Sequence, residues 1–134
     1  MNWLAILCAG AAYWVLAFVW YSLLFGKTWA NAMRNYRAQW PTPAKGEMAA
    51  NLIGTFVSNC VAATAIAYIL HHAAPPDISH ALRLGVAAGV GLSVTALTIA
   101  HIWESKPTKV WMIDASYHLL GSVLATIILF SWRL

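Results

Sequence analysis

Apolar and polar positions in this chain separate into long, nearly uncharged blocks, without the short alternations of soluble strands or the one-sided stripes of soluble helices. From Trp3 to Phe25 there are twenty-three residues with no charged side chain, and apolar blocks return over 48–70, 84–103 and 110–132. An α-helix rises about 1.5 Å per residue, so about 20 apolar residues cross a hydrocarbon core of roughly 30 Å. The pattern therefore predicts an all-α membrane protein: four transmembrane helices in an antiparallel bundle, a single integral membrane domain over residues 1–134. The first block lacks a preceding positive stretch and exceeds the roughly 7 to 15 apolar residues of a signal peptide. It is read as a span that stays in the mature protein.

Between blocks one and two, Trp29, Met33, Tyr36 and Trp40 recur at spacings of four, three and four. That spacing gathers them on one face of a short helix and predicts an interfacial helix in the first loop, ended by Pro41 and Pro43. Trp29 and Trp40 would sit at the lipid interface with Arg34 and Arg37 beside them. The cations read either as ligands of anionic lipid or as snorkelling neighbours of an aromatic belt. In the loop before the third block, Pro75 and Pro76 mark a turn, and Asp77 or Ser79 is placed to cap the next helix. His71, His72 and His80 lie near Asp77, and solvated loop histidines explain them as well as a metal site does.

Composition sharpens the class. Hydrophobic residues make up 61% of the chain and charged residues 9%, against about 25% charged in soluble domains. The net charge of +4 comes from eight Lys and Arg residues dispersed over the loops. No basic face is massed, so nucleic acid is not an expected partner. Lys27, Arg34, Arg37, Lys45, Lys106 and Lys109 fall on one side of the bundle, and only Arg83 and Arg133 on the other. By the positive-inside rule, the basic loops face the cytoplasm and both termini lie outside a multi-pass cell membrane protein. Cys8 and Cys60 fall at different depths and are read as packed thiols.

Within lipid, small residues permit close helix approach and polar side chains hydrogen-bond across helices. Gly85, Gly89 and Ser93 form a stripe four residues apart on the third span, Gly121 offers close approach on the fourth, and Asn51, Thr55, Ser58 and Asn59 share one flank of the second. These faces are expected to point inward, toward each other or toward a partner subunit.

The candidate chemistry lies where the third and fourth spans meet. His101 and Glu104 are three residues apart, Asp114 and His118 four apart, so each pair shares a helical face. A short loop joins the two helices, and the same end of the bundle receives Tyr21 and Asn51. His118 lies roughly 12 Å and Asp114 about 6 Å inward from Val110. Ionisable groups at such depths are costly and mark ligand, ion or proton handling unless they form a structural network. A mononuclear metal site is the sharper alternative, but the di-iron pattern of paired Glu-x-x-His motifs is missing, so no metal or cofactor is assigned. No phosphate loop, HExxH or matched nucleophile and base occurs, so no catalytic residue is assigned either.

The segments WYSLLFGKTW (residues 20–29) and DASYHLLG (residues 114–121), with Glu104 ahead of the second, resemble the small four-span bacterial and fungal membrane proteins of domain of unknown function 1761. The likeness spans essentially the whole chain and falls on Trp20, Tyr21, Ser22, Phe25, Gly26, Lys27, Trp29, Tyr117 and His118. Asparagine is usual in that pattern where this chain has Asp114, and a proline where it has Leu23. The resemblance implies a membrane protein without an assigned activity. Two functions are weighed, the first as the leading expectation and the second as its alternative. One is a non-enzymatic interaction or accessory protein, in contact with membrane lipid, that self-associates or docks with a membrane-protein partner. The other is a small transporter or channel that handles protons or a polar solute through the His/Asp cluster.

Overall fold

The structure is a computed structural model that describes residues 1–39, 44 and 46–132. Trp40, Pro41, Pro43, Lys45 and Arg133, which carry expectations above, lie outside the described residues. Among those described, the elements are α1 (Trp3–Leu24), α2 (Gly26–Arg37), α3 (Glu47–Ala73), α4 (Ile78–Glu104) and α5 (Thr108–Ser131). All but α2 are long and apolar enough to cross a membrane, which makes this a helical multi-pass membrane protein.

Each boundary has a local cause. Asn2 caps α1, its Oδ1 accepting from the amides of Leu4 and Ala5. Gly26 follows the last turn of α1, where a Cβ would lie 2.8 Å from the Tyr21 carbonyl oxygen, so the chain can turn into α2 this closely only at glycine. Gly46 opens α3 with φ of +97°, and Ala74 closes it in the left-handed region ahead of Pro75. The helix of the third span starts at Ile78, capped by Asp77 as expected, and so begins six residues ahead of the apolar block at 84.

The Asp77 carboxylate accepts from the His80 amide at 2.9 Å and contacts His80 Nδ1 at 3.0 Å. These donors, the backbone amide foremost, hold the Asp77 carboxyl below the usual carboxylate value. A lowered folded-state pKa means that the cap is intact above the unfolded value and is lost as pH falls through the lowered one. Amide exchange at His80 is therefore expected to stay protected below pH about 4 and to lose protection at every pH in Asp77→Ala. Loss of protection already near neutral pH in the wild type would contradict the cap.

α5 is the central helix. It contacts every other helix, and 44% of its apolar window is buried against 11% for α4. The pairs Gly10–Cys60 and Trp14–Leu52 step up α1 and down α3, while Tyr13–His118 and Trp20–Ile113 step up α1 and down α5. Close approach depends on glycines. A Cβ on Gly85 would meet Thr126 Cβ at 2.9 Å, one on Gly89 would meet Ser122 at 3.2 Å, and one on Gly121 would enter the Tyr13 ring. The small-residue faces of α4 and α5 are thus used within the chain. Ser93 is only half-buried.

Two wide turns interrupt the spans, Val19–Leu24 in α1 and Gly89–Val94 in α4, both π-helical. A π turn inserts a residue and releases carbonyls from the regular ladder. In α4 the Thr95 hydroxyl donates to the carbonyls of Gly91 at 2.6 Å and Leu92 at 3.2 Å, so a side chain satisfies the altered ladder locally. In α1 the wide turn carries Trp20 and Tyr21, which reach α5 a short way along the helix from Tyr13.

Candidate polar site at one end of the bundle

The site is built from α1, α2, α4 and α5. From the π turn of α1, Tyr21 donates its hydroxyl to Asp114 Oδ1 at 2.6 Å, and from α2 the Trp29 indole donates to the same oxygen at 3.3 Å. The neighbouring Trp20 indole donates to the Ile113 carbonyl at 3.0 Å and pins α1 against α5. Both contacts to Asp114 arrive as donors at Oδ1, an oxygen that accepts more than one hydrogen bond. No side chain among the described residues bonds Oδ2.

One turn deeper, the Tyr13 hydroxyl lies 2.9 Å from His118 Nδ1 and 3.1 Å from the His118 carbonyl oxygen. A hydroxyl has one proton. Given to the carbonyl, it leaves the hydroxyl oxygen to accept from Nδ1–H; given to Nδ1, it leaves the proton of the imidazole on Nε2. Either way Nε2 has no hydrogen-bond partner among the described residues. Behind Tyr13, Asn59 Nδ2 donates to the Tyr117 hydroxyl at 3.1 Å, which donates to the Tyr13 carbonyl at 3.3 Å. Asn59, Tyr13 and Tyr117 are buried, so this chain of bonds from α3 through α5 to α1 fixes the ring that holds His118.

Tyr21, Trp29, Asp114 and His118, with Leu97 of α4, line a cavity of about 380 Å³ that is open to the surface rather than enclosed. A second space of about 20 Å³ lies beside it, bordered by His101, Lys106, Trp111 and Asp114. His101 Nδ1 is buried there without a hydrogen-bond partner, while Trp111 is tied to the Thr98 hydroxyl at 3.0 Å. Asp114 therefore borders both spaces.

Of the candidate cluster, the structure brings together Asp114, His118 and Tyr21, with His101 across the smaller space. Glu104 does not join them: it is exposed and pairs with Lys106, whose ammonium it holds above the ordinary lysine value. Asn51 is exposed as well, and so are Thr55 and Ser58; the member of that flank that turns inward is Asn59. The reason is angular, because Asn51 and Asn59 lie about 80° apart around the helix and only one of them faces α5. On α2, Met33 is buried and Trp29 turns inward to Asp114, while Arg34 and Arg37 are exposed. Arg37 lies 5.1 Å over the Trp29 ring, and Arg34 bonds Asn31 Oδ1 at 2.9 Å. Sequence reasoning missed Tyr13, whose signal is weak because a tyrosine inside an apolar run reads as an ordinary span residue. No three metal-ligating side chains converge among the described residues.

A family model described as "Protein of unknown function (DUF1761)" matches residues 4–130. No curated protein and no solved structure matches the chain.

Proposed function

The chain belongs to the DUF1761 family of proteins of unknown function, and from that premise we propose that it handles a polar solute or a proton inside the membrane at Asp114 and His118. One observation carries this reading: a carboxylate and an imidazole face one cavity, each held by a tyrosine from α1 and each keeping an atom without a partner among the described residues. A purely structural network tends to satisfy its buried polar atoms internally, whereas a binding site leaves some available. Loop charge supports an orientation with this end of the bundle toward the cytoplasm, α2 along that leaflet and both termini outside. The solute then enters from the cytoplasmic side.

The test is proton or solute flux in proteoliposomes under an imposed pH gradient, followed with an entrapped pH-sensitive dye. His118→Ala and Asp114→Asn are each expected to lower the flux at least about tenfold, a loss of ~1.4 kcal/mol or more in the barrier-determining interaction, while both proteins remain monodisperse and inserted. Asn51→Ala is expected to leave flux unchanged. Wild-type flux no greater than that of empty liposomes, or equal flux in the substituted proteins, would overturn the reading.

A second reading, self-association, rests on a different face. Asn51, Gly54, Thr55 and Ser58 share one side of α3 and are exposed, and a Cβ on Gly54 would meet nothing within 4 Å. Polar groups turned toward acyl chains favour contact between helices. Crosslinking in native membranes through Ser58→Cys is expected to trap a dimer on this reading, and recovery of monomer alone would remove it.

A further inference from the structure

We propose that the occupant of the Asp114 cavity is an ammonium cation, an inference that rests on the solute-handling reading above and names its substrate class. The geometry supplies three elements of a cation site. The first is charge: Asp114 has both aromatic donors on Oδ1, so Oδ2 is the oxygen left for a ligand. The second is aromatic: the Tyr21 and Trp29 rings both line the cavity, packed edge to face with centroids 6.0 Å apart and planes at 82°. The negative face of an aromatic ring attracts a cation within about 6 Å, and most strongly for tryptophan. Arg37 already exploits this property of Trp29 from the exposed side of α2. The third is space, about 380 Å³, within the range of roughly 300–1,000 Å³ typical of small-ligand sites.

Of the neighbouring charges, the Arg37 guanidinium on the Trp29 ring is exposed and therefore screened by solvent. Lys106 borders the smaller space but is paired with Glu104, so the two side chains together contribute little net charge. His118, which also lines the cavity, has a ring nitrogen without a partner among the described residues that accepts N–H from an ammonium when it carries no proton itself. An anion would meet Asp114 directly and would gain neither ring face. A neutral solute would leave the carboxylate without a counter-charge in a poorly solvating environment.

One ammonium chemistry has two sources here, a free amine or the headgroup of an aminophospholipid, because Asp114 lies within about 10 Å of the start of α5 along its axis. The experiment is a binding titration of the whole protein in nanodiscs with three matched probes: cyclohexylammonium, cyclohexanol and cyclohexanecarboxylate. Saturable binding of the ammonium is expected to be at least about tenfold tighter than that of the alcohol or the carboxylate, and to weaken at least about tenfold in Asp114→Asn. Trp29→Leu is expected to weaken it by about threefold or more. Repetition in phosphatidylglycerol and in phosphatidylethanolamine nanodiscs assigns the source. Weaker binding in phosphatidylethanolamine supports the site with a lipid ammonium as occupant, and equal binding supports it with a free amine.

Asp114-dependent binding of the alcohol or the carboxylate as tight as that of the ammonium would overturn the cation class and leave the solute-handling reading standing. No ammonium binding alongside His118-dependent flux would do the same. No binding and no flux would overturn both.

Discussion

Gly121→Leu is expected to yield no folded protein. Gly121 lies on α5 against the ring of Tyr13, and even a single Cβ there would fall well inside van der Waals contact with that ring. Tyr13 cannot move aside cheaply, being 1% exposed, with its hydroxyl on His118 and its carbonyl accepting from Tyr117. Overpacking a dense interior costs about 1–3 kcal/mol where side chains can rearrange, and here the collision is with a ring bonded at both ends. Gly121→Ala should accordingly be destabilised by at least about 2 kcal/mol, and the leucine variant should fail to insert as a monodisperse species. Removing the obstacle should compensate: Gly121→Ala combined with Tyr13→Ala is expected to be more stable than the sum of the two single changes. Unfolding titrations in mixed micelles measure this, and a Gly121→Leu protein as stable as wild type would mean that α1 and α5 do not meet here.

The second large effect is at Tyr13 itself. Tyr13→Ala removes a buried aromatic ring and is expected to cost about 3–5 kcal/mol. Tyr13→Phe keeps the ring and deletes the hydroxyl, so His118 Nδ1 loses its partner at an expected cost of about 1–3 kcal/mol. The comparison separates packing from hydrogen bonding. His118→Phe in the Tyr13→Phe background should recover part of that cost, because an apolar pair leaves no orphaned donor or acceptor. If Tyr13→Phe is neutral, the hydroxyl does not serve the imidazole, and the orientation of His118 toward the cavity loses its support.

These residues also mark how far the amino-acid pattern could be followed. The four spans were legible because apolar blocks of about 20 residues have one stable solution in lipid, and the start of α4 was legible through Asp77, whose cap chemistry is local. Asp114, His118 and Tyr21 were legible as candidates because ionisable and hydroxyl groups at that depth require company. Their actual partners were not. Tyr21 reaches Asp114 from a π turn, and no residue pattern announced that extra residue in the helix. Trp29 shares a face with Met33 and Tyr36, as its spacing implied, but that face packs on α5, and spacing alone does not distinguish protein from lipid as the neighbour. Asn59 rather than Asn51 turns inward because the rotation of α3 is set by Gly10 against Cys60, a contact between residues 50 positions apart. Glu104 was read by its helical spacing from His101, but α4 ends at Ser105 in the left-handed region, and the carboxylate there meets Lys106 of the turn.

The account depends most on Asp114 being held inside the protein by Tyr21, away from acyl chains. Solid-state NMR on the protein in bilayers, with ¹³C labels at Tyr21 Cζ and Asp114 Cγ, measures that pairing directly. A separation below about 5 Å is expected for a hydroxyl donating to the carboxylate. A separation beyond about 8 Å, with Asp114 cross-peaks to lipid chains, would contradict it.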